Sequence, residues 1–249
     1  VTWWLRQGLS ESAAWTEQQS EQQAGDEVAA SRSKIRELFT DRRNVTSLLF
    51  LFGVYGFWNL VAGQAGIFMP RVYDAAGFTS PAGQNALQVL VWGCTALATW
   101  FGFMRYADRM SRRTLYVIGA SLGVAAWGLL AYAPSSIGVL LAFAVIWGTS
   151  AGIGAQAFYS VWASELFATR FRATAQGVLF FAARVAVGLL SYVFPTLLDQ
   201  RGVPFVGTLM LGFLLVALAV GAIWAPDTQG KSLRDIETER YGGRREELV

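Results

Sequence analysis

Residues 114–164 read TLYVIGASLGVAAWGLLAYAPSSIGVLLAFAVIWGTSAGIGAQAFYSVWAS and contain no charged residue. A helix needs roughly 20 predominantly apolar residues to cross the hydrocarbon of a bilayer, so this stretch is long enough for two crossings. The run APSS at 133–136 lies in its middle and supplies the turn between them. The stretch therefore predicts two consecutive membrane-spanning helices.

Further uncharged windows lie on both sides of this pair and predict four more crossings. The six predicted helices are 45–69, 86–105, 114–132, 137–162, 173–195 and 205–224. We therefore expect an all-α polytopic membrane protein whose residues 45–225 form a six-helix transmembrane bundle in a lipid bilayer. Residues 1–44 are interpreted as a cytoplasmic linker, with a basic helix near its end, and residues 226–249 as a cytoplasmic tail.

The basic residues are distributed unevenly over the predicted loops. Cytoplasmic loops accumulate Lys and Arg, and 17 of the 20 basic residues precede the first helix or follow the second, fourth or sixth. Arg71 and Arg201 lie on the opposite side, and Arg184 lies within a predicted helix. This distribution predicts that both termini are cytoplasmic in a protein of the inner or plasma membrane.

The composition excludes several classes of protein. Hydrophobic residues make up 54% of the chain and charged residues only 15%, against roughly 25% charged in soluble proteins. The chain has no His and a single Cys, Cys94, which excludes a Ser-His-Asp triad, a His-ligated zinc and an intrachain disulfide. The net charge is only +3 and the cations are scattered over short loops, so no nucleic-acid-binding stripe is formed. We expect neither an enzyme nor a bound metal or cofactor.

Four short motifs lie in the segments predicted to be cytoplasmic. Residues 108–113 (DRMSRR) resemble the D-R-x-G-R-R signature of the major facilitator superfamily. Residues 164–172 (SELFATRFR) resemble the S-E-I-F-P-T-x-x-R stretch of its sugar porters, and residues 226–233 (PDTQGKSL) resemble their P-E-T-K-G-x-S-L stretch. Residues 4–13 (WLRQGLSESA) are similar to the start of the family's central linker. In this order the motifs resemble the C-terminal half of a sugar porter, which comprises helices seven to twelve.

This resemblance implies a secondary transporter that moves a small polar organic solute by rocking two six-helix halves against each other. Because the chain opens at Val1 within the linker, we expect a missing N-terminal six-helix half of the same chain to be its partner. The resemblance also implies proton symport, with any proton-coupling carboxylate in that other half. A membrane nutrient sensor that binds without transporting has the same fold and remains the alternative of another class.

The charged residues of two of these motifs are candidate gating residues. Alternating access requires contacts that break and form again in each cycle, and pairs of opposite charges at neighbouring helix ends suit that task. The candidates are Asp108, Arg109, Arg112, Arg113, Glu165 and Arg172. The alternative is that these arginines only reflect the positive charge of cytoplasmic loops.

Two amides in the first predicted helix are candidate substrate-binding residues. Polar groups within membrane helices usually face a cavity or a partner helix. Asn59 and Gln64 stand where the sugar-porter pattern Q-Q-x-x-G-I-N has its second Gln and its Asn, whereas Trp58 replaces the first Gln. The amides are present, but the complete hexose-binding pattern is not.

The fourth predicted helix carries a second polar face. Gly148, Gly152, Gln156 and Tyr159 recur at helical spacing and therefore share one face. We assign the two glycines to close helix packing. Gln156 and Tyr159 are assigned to substrate binding, although Gln156 could equally face another helix.

Arg184 lies in the middle of the predicted helix 173–195, some 16 Å from either end at about 1.5 Å per residue. Its guanidinium cannot reach the interface by simple snorkelling, and none of the six predicted helices contains an acid. The missing half or the substrate must therefore supply the counter-charge. We assign Arg184 to substrate binding.

Arg184 also decides between two substrate classes. The run Arg172-Ala173-Thr174, with Arg184 twelve residues after Arg172, resembles the pattern of the superfamily's organic-anion transporters. A guanidinium binds both oxygens of a carboxylate, whereas a neutral sugar is bound by amide and hydroxyl side chains. A carboxylate substrate is therefore favoured over a neutral sugar or polyol, which remains the alternative.

Labelling of single cysteines tests the predicted orientation. After Cys94 is replaced by Ala, a cysteine at position 76 or 136 should react with an impermeant maleimide added outside intact cells. A cysteine at position 111 should react only once the membrane is opened, because its loop is predicted to be cytoplasmic. The reverse labelling pattern would contradict the orientation.

Overall fold

The computed structural model of the chain describes residues 35–226 and residue 239. Within that part of the chain the structure is helical and contains no strand, which confirms the predicted all-α fold. Five of the described helices are long and apolar enough to cross a membrane. They are Arg42–Ala75 (α1), Pro81–Tyr106 (α2), Arg112–Tyr132 (α3), Ile137–Glu165 (α4) and Thr169–Trp224.

The helix Thr169–Trp224 consists of two spans that meet at Gly202. The φ and ψ angles of Gly202 are 75° and 179°, a combination that only glycine adopts without strain. We number the segment 169–201 α5 and the segment 203–224 α6. The described helices therefore provide six spans, as the charge pattern predicts.

Side-chain contacts fix the direction of α5 relative to α1. The Gln64 Nε2 donates to the Ser191 hydroxyl at 3.1 Å. Further along both helices the rings of Phe68 and Phe194 stack with centroids 5.3 Å apart. The Arg71 guanidinium then donates to the Asp199 carboxylate at 2.6 Å. The numbers rise together on both helices, so α1 and α5 are parallel.

The contacts of α6 show that the chain reverses at Gly202. The hydroxyl of Tyr116, near the start of α3, donates to the Ala217 carbonyl in the second half of α6 at 2.6 Å. Gly207, near the start of α6, packs against Ala131 at the end of α3. α6 is thus antiparallel to α3, and the six spans alternate in direction. The bundle therefore begins and ends on the same side.

Several helices extend beyond their predicted ends. α1 continues through Pro70 to Ala75, and α5 passes through Pro195, where the sequence predicted an end. Neighbouring helices make such prolines tolerable within a membrane bundle. α2 begins at Pro81 and not at 86, because the Ser80 side chain caps its first turn. The longer helices include Asp74 in α1, Glu165 in α4 and Asp199 in α5, so the expectation of acid-free helices is wrong near these helix ends.

Three spans contain an irregular turn. α1 has a π-helical turn at Phe52–Gly56, and α2 has one at Ala98–Phe103. α4 is interrupted at Gly154, which separates Ile137–Ile153 from Ala155–Glu165. π turns occur often at functional sites. These irregularities change which side chains face the centre of the bundle.

Glycines allow α2 and α4 to approach closely. A Cβ atom on Gly148 would lie 2.5 Å from the Val91 carbonyl oxygen, and one on Gly152 would lie 2.5 Å from that of Thr95. The Thr95 hydroxyl donates to the Gly148 carbonyl at 3.1 Å, across the same contact. The structure therefore confirms that these two glycines serve helix packing.

Alanine at either glycine should destabilise the bundle. Gly148→Ala and Gly152→Ala place a methyl group against a backbone carbonyl and must separate the helices, at a cost of about 1–3 kcal/mol. Gly93→Ala is the matched control, because a Cβ there meets no atom within 4 Å. Thermal unfolding of the purified variants measures the difference. Equal midpoints for the three variants would contradict the packing role.

Candidate functional site

A cavity of about 340 Å³ lies between α1, α2, α4 and α5. Its lining includes the amides of Asn59, Gln88 and Gln156, the hydroxyl-bearing Thr95 and the guanidinium-bearing Arg184. Tryptophans form much of the remaining wall, namely Trp58, Trp92 and Trp147. The volume and the mixture of aromatic walls with a few polar groups are typical of a small-molecule site.

The amides of the cavity come from three different helices. Asn59 lies near the middle of α1, Gln88 in the first half of α2, and Gln156 directly after the interruption of α4. Each amide has donor and acceptor atoms, so together they can bind a solute with hydroxyl groups from several sides. The residues that line the cavity include no acid.

Arg184 brings the only charge to this lining. Its Cζ lies 4.7 Å from the centroid of the Phe180 ring, one helical turn earlier on α5. Such a contact contributes about 0.5–2 kcal/mol, which does not replace a counter-ion. None of the described acidic side chains forms an ion pair with Arg184. Among the described residues, the defined contact of this guanidinium is the one with the Phe180 ring.

Gln64 lies away from the cavity lining. It is 1% exposed, and its Nε2 donates to the Val187 carbonyl at 3.3 Å as well as to Ser191. Five residues separate it from Asn59, which is about 140° of helical rotation. The two amides therefore point to different neighbours. The structure places Gln64 as a link between α1 and α5.

Tyr159 is also absent from the lining. Its hydroxyl donates to the Gln176 carbonyl at 3.4 Å, and its ring stacks on that of Tyr55 with centroids 3.9 Å apart. Of the five predicted substrate-binding residues, the structure thus brings Asn59, Gln156 and Arg184 together around the cavity. The other two brace the helices behind it.

Gln88 and Thr95 of the lining, and Tyr55 beside it, were not predicted. Gln88 is an amide within a membrane span, and the same argument that selected Asn59 would have selected it. Tyr55 is 2% exposed, and its ring stacks on that of Tyr159 and lies beside the cavity residue Trp58. It precedes Asn59 by four residues, a spacing that places both on one helical face.

The candidate gating residues lie at the end of the bundle that holds the α2–α3 turn. Arg112 and Glu165 form an ion pair across the neighbouring ends of α3 and α4, and their side chains are only 16% and 8% exposed. Asp108, Arg109 and Arg113 are exposed at the turn itself. This ion pair therefore joins the start of α3 to the end of α4.

Two further arginines lie in the α4–α5 region on the same side. Arg170 donates to the Glu37 carboxylate at 2.6 Å, which ties the described end of the predicted linker to the bundle. Arg172 is partly buried, and its Nε has no hydrogen-bond partner among the described residues. The structure thus pairs the predicted gating residue Glu165 with Arg112 and not with Arg172.

Comparison with known proteins identifies the kind of molecule. Residues 4–239 match the family described as "Sugar (and other) transporter". The chain is 37% identical over 244 residues to the "Minor myo-inositol transporter IolF" of Bacillus subtilis (strain 168), covering 97% of this chain and 55% of that protein. It is 24% identical over 237 residues to the "Putative metabolite transport protein YaaU" of Escherichia coli (strain K12), covering 89% of this chain and 50% of that protein.

The chain spans about half the length of these two relatives. The printed names of both describe transport proteins, the second of them with the qualifier "Putative". The apolar helices, the order of the motifs and the match over almost the whole chain agree with one another. The chain belongs to the family of sugar and other transporters, the sugar-porter-like branch of the major facilitator superfamily.

Proposed function

We propose that this chain provides the solute-binding half of a secondary transporter for a small polyhydroxylated solute of the cyclic polyol class. The observation that carries the proposal is the convergence of three amides, from α1, α2 and α4, on one cavity. Amides both donate to and accept from hydroxyl groups, so they match a ring that carries a hydroxyl on each carbon. The printed name of the B. subtilis relative, a myo-inositol transporter, supports the same class.

The tryptophans of the cavity fit this class of solute. Trp58 and Trp147 stack with centroids 6.4 Å apart and an interplanar angle of 26°. Such a flat apolar wall can pack against the C–H face of a saturated ring while the amides bind its hydroxyls. Trp58 takes the place of an amide in the hexose pattern, so the wall also distinguishes this site from that of a hexose porter.

A solute that carries a carboxylate is the second candidate. The observation that favours it is Arg184, which lines the cavity without an ion-pair partner among the described residues. A guanidinium can bind both oxygens of a carboxylate. A neutral polyol would use the same side chain only as a hydrogen-bond donor. The two candidates therefore differ in how strongly transport depends on this charge.

We also propose that transport is coupled to protons. The cavity lining contains no acid, so the carboxylate that exchanges the proton is proposed to lie in sequence that this chain does not cover. A second six-helix half, packed against the cavity, would provide it. A sensor of the same fold would bind the solute but would not move it.

Uptake by the full-length protein in proteoliposomes tests the function. We expect labelled myo-inositol to accumulate under an inward proton gradient and to stop when a protonophore is added. Unlabelled polyols should compete if the first candidate is correct, whereas sugar acids such as gluconate should compete more strongly if the second is correct. Binding without uptake would indicate a sensor, and neither binding nor uptake of any polyol or acid would contradict the proposal.

Variants of Arg184 separate the two candidates. If a carboxylate is bound, Arg184→Gln should lower the ratio of the maximal uptake rate to KM by roughly 100-fold, which corresponds to about 2.7 kcal/mol. Arg184→Lys should lower the same ratio by roughly tenfold, because Lys keeps the positive charge but lacks the two parallel N–H donors that bind both carboxylate oxygens. If a neutral polyol is bound, the two variants should differ little. Well-folded Arg184→Gln protein with the rate and KM of the wild type would contradict any role in binding.

The ion pair between Arg112 and Glu165 is proposed to be part of the gating latch. Glu165→Gln leaves Arg112 partly buried without its carboxylate and should slow transport by roughly tenfold, while solute binding changes by less than about twofold. Arg170→Gln is the control, because it breaks an exposed pair that contributes little. An equal loss of binding and of rate in Glu165→Gln would contradict a gating role.

A further inference from the structure

The helices α1 and α5 approach each other closely at Gly63. A Cβ atom on Gly63 would lie 2.6 Å from the Cγ1 of Val187 and 3.1 Å from its Cγ2. Carbon atoms in contact lie about 3.5–4.0 Å apart, so a side chain at this position requires a movement of about 1 Å. The absence of a side chain at Gly63 therefore allows Val187 to rest directly on the backbone of α1.

The Val187 side chain has little room to move away. It is 5% exposed, and both of its γ-methyl groups face Gly63. A β-branched side chain has one strongly preferred χ1 rotamer in a helix, so a change of rotamer is unfavourable. Its backbone is also tied to α1, because its carbonyl accepts a hydrogen bond from the Gln64 Nε2 at 3.3 Å. A side chain at position 63 would therefore push the two helices apart.

This contact lies one helical turn from two polar groups of the cavity. Asn59 precedes Gly63 by four residues and Arg184 precedes Val187 by three, spacings that place each pair close to one face of its helix. Asn59, Gly63 and Arg184 all line the cavity, whereas Val187 does not. A Cβ atom at position 63 would thus point into the contact between the helices and not into the cavity.

We propose that Gly63 is a positioning residue of the solute site: by letting α1 rest on Val187, it sets the distance across the cavity between the Asn59 amide and the Arg184 guanidinium. This inference rests on the proposed function, because the solute is what these two groups bind. A wider spacing would prevent a solute of the same size from reaching both groups at once. The affinity should fall, while the rate of movement between conformations stays unchanged.

Two further substitutions make the test specific. Val187→Ala removes both γ-methyl groups that a side chain at position 63 would meet, so it should rescue Gly63→Ala. Gly207→Ala is the matched control, because a Cβ atom there would lie 2.8 Å from the Cβ of Ala131. That contact joins α3 and α6, neither of which contributes a described residue to the cavity lining.

Cross-linking without solute provides the first measurement. In full-length protein without native cysteines, Asn59→Cys and Arg184→Cys are joined by the shortest bifunctional methanethiosulfonate that links them. Gly63→Ala should slow this reaction by roughly tenfold, since its rate depends on the distance between the two thiols. Adding Val187→Ala should restore the rate, and Gly207→Ala should leave it unchanged. An unchanged rate in Gly63→Ala would overturn the inference whatever the solute is.

Uptake of myo-inositol, with Asn59 and Arg184 intact, provides the second measurement. Gly63→Ala should raise the KM by roughly tenfold and change the maximal rate by less than about twofold. The double variant Gly63→Ala/Val187→Ala should have the KM of the wild type. Gly207→Ala should lower the unfolding temperature without changing the KM. An equal rise of the KM in Gly63→Ala and Gly207→Ala, or no rescue in the double variant, would contradict the positioning role.

The double variant keeps the test valid even where Gly63→Ala does not fold. It fills the same contact with two alanines, so it should keep the cross-linking rate and the KM of the wild type, and a loss of either would overturn the inference. If the wild-type protein takes up no polyol or acid while the cross-linking rates follow the expectation, the proposed function fails and the spacing role of Gly63 stands.

Discussion

The rest of the structure depends on one constraint: in the hydrocarbon core of a bilayer no water is available to form hydrogen bonds with polar groups. Every backbone amide must find its partner within the protein, and the helix is the element that provides it locally. Hydroxyl groups follow the same rule: those of Thr149 and Thr208 donate to the carbonyl four residues earlier on their own helices. The helices therefore continue as far as lipid or packed neighbours surround them, even through prolines.

The sequence predicts the spans well because charge and apolarity are read directly from it. It predicts the ends of the helices less well, since Pro70 and Pro195 end helices in water but not between packed neighbours. It predicts Asn59, Gln156 and Arg184 from their chemistry, and the structure brings these three to one cavity. It does not show how the Tyr55 ring packs, because a π-helical turn changes the helical register and leaves no recognisable pattern in the sequence.

The same limit explains the place of Gln64. A family pattern puts two amides five residues apart on one helix, but which of them meets a cavity depends on the neighbour that packs beside it. Here the Ser191 hydroxyl and the Val187 carbonyl of α5 accept hydrogen bonds from the second amide, that of Gln64. Trp58 stands where the hexose pattern has its first Gln, and both Trp58 and Arg184 line the cavity. The cytoplasmic motifs thus indicate the family, whereas the proposal for the solute depends on the cavity.

The three contacts between α1 and α5 have a mechanical consequence. They follow one another at about one per helical turn, from Gln64 to Arg71, over the half of each helix that leads to the α1–α2 turn. Contacts placed in series along two parallel helices resist a sliding movement, because a shift of one helix along the other would lengthen all three of them. Asn59 and Arg184 lie on these same two helices, before the first of the three contacts in each case. The relative position of this amide and this guanidinium therefore depends on how firmly the two helices are held together.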